Sequence, residues 1–178
     1  MFEVIVTIAV ILAIAIAVVL ILAATKPDTL RVQRSVRIKA PPEGIFPLIS
    51  DFHQWLTWSP YEQKDPAMKR TYSGAERGKG AVYAWEGDKN VGSGRMEILD
   101  APPPNKVVIK LDFISPFEGH NTAEFTFVPQ GSATNVTWLM HGPAPLMSKL
   151  MQVFMNMDNM IGKDFAAGLA NLKRITET

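Results

Sequence analysis

The stretch KVVIKLDFISPFEGHNTAEFTFVPQGSATNVTWLMH, Lys106 to His141, decides the fold. Apolar residues alternate along it in three sets: Val107, Ile109, Leu111 and Phe113; Ala123, Phe125 and Phe127; Val136, Trp138 and Met140. A period of two marks strands that bury one face. The separators, Ser115 to Gly119 and Gln130 to Ala133, carry the Gly, Pro and Ser that tight connections need. Consecutive hairpins predict strands over Lys106–Phe113, Asn121–Pro129 and Asn135–His141, in an antiparallel meander with one buried face.

Upstream, the same alternation predicts strands over Met68–Ser73, Gly80–Glu86 and Val91–Ala101. Gly74–Gly78, Gly87–Asn90 and Pro102–Asn105 are the turns between them. Gly92-Ser93-Gly94 reads as a bulge or bend in a strand rather than a phosphate cradle. Further back, Leu30, Val32, Val36 and Ile38 define one face of a strand over Leu30–Ala40. Arg31, Gln33, Ser35, Arg37 and Lys39 define the other face, and Arg34 interrupts the apolar side, at a rim or toward a ligand anion. Pro41-Pro42-Glu43 opens a short helix through Ile45, Leu48, Ile49 and Phe52, which Pro47 should kink or shorten. Trp55 and Trp58 fall in a second short helix, with Ser59-Pro60 as its exit.

Downstream, Leu146, Leu150, Phe154, Met157, Ile161, Phe165, Leu169, Leu172 and Ile175 step by three or four residues and predict one long helix. The sum is an α+β domain, a curved antiparallel sheet of about seven strands wrapped around the C-terminal helix, with two short helices after the first strand.

The N-terminus is different in kind. From Val4 to Ala24 the only polar residue is Thr7. A helix of that length measures roughly 31 Å, the thickness of a bilayer's hydrocarbon core. A secretory signal is the rival, but Met1-Phe2-Glu3 lacks its basic region and the apolar run is longer than usual. Residues 1–25 are therefore expected to be an uncleaved transmembrane anchor and residues 26–178 one domain. Lys26, Arg31, Arg34, Arg37 and Lys39 lie on one side of the span and Glu3 on the other, which orients the domain toward the cytoplasm. Arg31 to Lys39 also belong to the first strand, so part of that charge has a structural use.

The 178 residues carry a net charge of +1 and no cysteine. That balance gives no reason to expect a nucleic-acid partner. The missing thiols exclude disulfides, zinc-thiolate sites and cysteine nucleophiles. His53, His120 and His141 lie far apart and form no ligand spacing, so neither a metal nor a cofactor is expected. No G-x-S-x-G elbow or P-loop occurs.

Several local sequences resemble the START-like (SRPBCC, helix-grip) superfamily, and within it the bacterial polyketide cyclase/dehydrase and lipid-transport family. They are Ile49-Ser50-Asp51-Phe52 through Trp55, Trp58-Ser59-Pro60, Lys69 to Gly74, Tyr83 to Gly87, Gly94 to Ile98, Pro116 to Gly119, and Met157 through Gly162-Lys163-Asp164-Phe165 to Leu172. The resemblance implies an apolar cavity between sheet and helix, which Trp58, Tyr83, Trp85, Phe113, Phe125, Trp138, Met157 and Ile161 would line. The same rings equally suit a solid core. Five of the nine methionines, Met147, Met151, Met155, Met157 and Met160, fall on the C-terminal helix and suit a cavity, a soft core or a protein partner. Strand parity turns Arg95 outward, beside Glu97. Glu118 and His120 mark a hairpin tip that is either solvated or at a cavity mouth.

Three functions follow. The first is a non-catalytic, membrane-anchored module for a lipid, quinone or polyketide-like molecule, in a bacterial inner membrane. The second is a regulatory or protein-interaction domain with a collapsed cavity. The third is a cyclase/dehydrase-type enzyme, for which Tyr83, Arg95 and His141 are unconnected candidates.

Overall fold

The computed structural model describes residues 1–178. In chain order the elements are α1 (Phe2–Ala24), β1 (Thr29–Ile38), α2 (Pro42–Ser50), a 3-10 turn (Phe52–Thr57), α3 (Pro60–Lys64), β2 (Lys69–Gly74), β3 (Ala81–Glu86), β4 (Ser93–Asp100), β5 (Lys106–Ser115), β6 (Gly119–Gln130), β7 (Ala133–Pro143), α4 (Leu146–Phe154) and α5 (Met157–Thr176). The seven strands form one sheet in the order β1-β7-β6-β5-β4-β3-β2. Every pairing is antiparallel.

After β1 the chain crosses on short helices to the far edge of the sheet, then meanders back until β7 pairs with β1. The crossing helices are pinned by their tryptophans. The Trp55 and Trp58 indoles donate to the carbonyls of Ile49 and Leu48, at 3.0 and 2.8 Å. Pro42 occupies the first turn of α2, and the helix ends three residues beyond Pro47. Ser59-Pro60 is not an exit. It starts α3, with proline again in a first turn.

One sheet face holds the core. Val32, Ile38, Ile98, Val107, Ile109, Phe125 and Val136 are fully buried there, under Phe165, Leu169 and Leu172 of α5. The alternation read from the sequence matches these burial patterns, and the ladder shifts register at Ser93/Gly94, where the bulge was expected. Gly94 leaves room for the Trp85 ring, which a Cβ would strike.

The expected single C-terminal helix is two helices. Met155 and Asn156 are extended, and the Asn156 side chain caps α5 by accepting from the Asn159 amide at 2.9 Å. Only the second helix covers the sheet, packing mainly on β1. α4 instead packs against α1. Its end of α1 holds Ala23, the one buried residue of that helix. α1 is otherwise exposed along nearly its whole length and is long and apolar enough to cross a membrane.

Candidate functional site

The eight residues expected to line a cavity divide into two groups. Trp58, Tyr83, Trp85, Phe125 and Trp138 are buried, whereas Phe113, Met157 and Ile161 are half-buried. The buried rings touch one another. Trp138 stacks on Phe165 at 3.9 Å between centroids and 7° between planes. Phe125 lies 4.8 Å and Trp58 5.6 Å from Trp138, and Trp55 lies 4.8 Å from Trp58. Toward the β2 edge, Tyr83 stacks on Trp85, whose ring meets Phe113 edge-on at 6.0 Å. Phe113, Leu111, Leu30 and Ile161 are half-buried members at the margin of this cluster.

A polar knot closes the β2 side. The Glu62 carboxylate is buried, accepting from the Tyr83 hydroxyl at 2.6 Å and from Arg70 Nε at 2.7 Å. Burial, with Glu62 beside it, pushes the Tyr83 hydroxyl far above the ordinary phenol range, so it stays a proton donor. Tyr72 lies against Tyr83 and stacks on His53, and its hydroxyl is buried without a partner. In sequence Glu62 gave no sign of this role, since a glutamate in a short polar segment normally faces water.

The charges expected elsewhere are accounted for. Arg95 faces outward and pairs with Glu97 at 2.9 Å. His141 and His120 line the same shallow outer groove, about 590 Å³ in volume; His120 pairs there with Asp112, and His141 pairs with Glu124. The Asp112 hydrogen bond raises the His120 pKa. No three His, Asp or Glu side chains converge on a metal position. Arg34 lies at the rim on the inner face of β1, where it forms two bonds to the Asp158 carboxylate, at 3.0 and 3.1 Å. Gly162 gives that guanidinium its space, since a Cβ would run into it.

An open cleft of about 630 Å³ lies outside the aromatic cluster. It lies between the start of β1 and the junction of α4 with α5. Leu30, Val153, Phe154, Met155 and Met157 give it an apolar part, and Lys26, Arg31, Thr29, Asn156 and Asp158 make the rest polar, with two cations to one acid. Gln152 also lines it, with its amide nitrogen buried and unpartnered. Leu30 is the link inward, lining the cleft and packing on the core cluster. The cleft begins almost at the end of α1, since only Thr25 separates Ala24 from the lining residue Lys26. The sequence hid it because it depends on the break at Met155-Asn156.

Comparison with known proteins supports the fold. No curated protein is significantly similar in sequence. Among solved structures, protein CV1439 from Chromobacterium violaceum superposes with a TM-score of 0.58 at 15% identity, covering 85% of this chain and 99% of that one. The Aha1 dimer from Colwellia psychrerythraea gives 0.59 at 14% identity, with 83% and 96% covered. The di-domain ARO/CYC BexL from the BE-7585A biosynthetic pathway gives 0.61 at 14% identity; 88% of this chain matches 53% of BexL. At such identities these likenesses speak for architecture alone. The family model for polyketide cyclase / dehydrase and lipid transport matches residues 29–177, nearly all of the chain beyond α1, and the chain belongs to that family.

Proposed function

We propose that this protein is a membrane-anchored binding module for a hydrophobic small molecule, lipid- or quinone-like, which reaches the fold directly from the bilayer. Residues 1–25 are the anchor and residues 26–178 the binding domain. The observation that carries this reading is the position of the cleft. Its apolar walls, two cations and unspent Gln152 amide lie a few residues from the end of a helix suited to crossing a membrane. Apolar side chains on one part of the lining and polar or charged ones on the rest suit the tail and the headgroup of an amphipathic ligand. Lys26 and Arg31 beyond the span, with Glu3 before it, orient the domain toward the cytoplasm of a bacterial inner membrane.

Within the fold, Met157, Ile161 and Phe113 are the half-buried residues a ligand would meet first. Trp58, Tyr83, Trp85, Phe125 and Trp138 form the deeper wall, reached only if rings move. Binding fits the side chains better than catalysis does. The Tyr83 hydroxyl is committed to Glu62, Arg95 points outward, and His141 is on the outer groove.

The test is native mass spectrometry with solvent extraction on residues 27–178 purified without detergent. The core cluster lies wholly between Val32 and Leu172, so this piece retains it. A co-purifying lipid or quinone, lost in Met157→Asp and Ile161→Asp, is the expected result. A folded domain that is empty and takes up no apolar dye or lipid would overturn the reading in favour of a protein-interaction role.

A further inference from the structure

α4 is an unusual surface helix. Its outward face carries no charge, and its only charged residue, Lys149, is turned inward to pair with Asp28 of the linker. Leu146, Met147, Phe154 and, just beyond the helix, Met155 are exposed instead, Phe154 at 73%. Contiguous exposed apolar surface of this kind marks an interaction site. α4 also packs on α1, burying Ala23 in its last turn. Any bilayer that α1 crosses therefore ends where α4 lies.

A second, separate feature points the same way. The strand registers put the β5–β6 hairpin tip at the end of the sheet where β1 begins and β7 ends. That tip exposes Ile114 at 65% and Phe117 at 53%. Lys26 and Arg31 lie at that same end.

We propose that α4 and the Ile114–Phe117 hairpin tip rest in the headgroup layer of the bilayer that α1 spans, with Phe154, Met155, Met147 and Phe117 in contact with lipid. This rests on the anchor reading above. A helix apolar on its outer side, running beside basic residues, is the form that lies in an interface rather than across it. The two cations then face anionic headgroups, and the cleft between β1 and α4 opens at the level where acyl chains begin. A soluble protein partner explains α4 alone; it does not explain a second apolar tip at the same end of the sheet as the anchor.

The chain has no cysteine, so single-cysteine variants of the full-length protein report one position each. Phe154→Cys, Phe117→Cys, Ile14→Cys in mid-α1 and Ser132→Cys at the opposite end of the sheet would each carry an environment-sensitive fluorophore. All would be reconstituted in phosphatidylcholine–phosphatidylglycerol vesicles. The expected result is blue-shifted emission at 154 and 117, quenching by brominated acyl chains and shielding from aqueous iodide, with position 132 fully accessible to iodide. If 154 and 117 behave like 132 while position 14 is quenched by brominated lipid, the proposal fails and the anchor stands. If position 14 is also aqueous, the anchor fails and takes the proposal with it. Shielding at 154 that follows protein concentration and ignores brominated lipid would assign the face to a second copy of the chain and overturn the proposal.

Discussion

Trp138 illustrates how far a single residue could be read. Its alternation with Val136 and Met140 fixed which side of β7 it faces, and it does face the core. Whether it bounds a space or fills one was not legible, because the answer depends on Phe165, 27 positions away in sequence, stacking flat against it. Its indole nitrogen is buried without a partner, an uncompensated cost of about 1–3 kcal/mol in the folded state. Trp138→Ala removes the stack with Phe165 and should cost about 3–5 kcal/mol. Trp138→Phe keeps a ring there and deletes the orphan donor, so it should lose roughly half as much or less. Urea unfolding of the two variants measures both losses; equal losses would mean that the stack contributes nothing. Glu62 is the opposite case, a residue whose buried bonds to Tyr83 and Arg70 come from three separate elements and leave no trace in local pattern.

The strands were the most legible elements, because period-two alternation with Gly- and Pro-bearing turns has few other solutions. Boundaries moved by a few residues, and the Gly94 bulge stood where two glycines had marked it. The C-terminal helix was read wrongly as one piece. The three-and-four spacing runs unbroken through Phe154 and Met157, so periodicity alone does not register the two extended residues between them. The missed signal was local: Asn156 followed by Asp158 is a helix start, a capping side chain with an acid in the first turn. α5 offers its own test. Gly168 sits mid-helix, where alanine ordinarily gains up to about 1 kcal/mol. Here a Cβ would stand 2.9 Å from the Trp138 ring, 3.1 Å from Pro60 and 3.4 Å from Trp58. None of these rings is free to withdraw, so Gly168→Ala should lower the thermal midpoint of the domain despite its helix propensity. A raised midpoint would show that α5 can shift off the sheet.

At the scale of the molecule, the chain is one family domain behind a helix that contributes almost nothing to its packing. All the buried cluster residues follow Val32, and α1 touches the domain chiefly through α4. Residues 27–178 should therefore unfold in one cooperative step, at the midpoint the full chain shows in detergent, within the few degrees that losing Ala23 against α4 would cost. Circular dichroism melts of the two forms decide it; a large drop would mean that α1 is part of the fold. The architecture was legible because sheet, helix and order all repeat a known pattern. The cleft was not, since it arises where three elements meet at the foot of the domain.

The connector between α1 and β1 sets one more condition. Fully extended, residues 25–28 reach about 14 Å, and Asp28 at their end pairs with Lys149 of α4. With α1 as the proposed anchor, a domain on so short a leash never travels. If it loads from the membrane, it cannot ferry its cargo across the cell; whatever receives that cargo has to come to it.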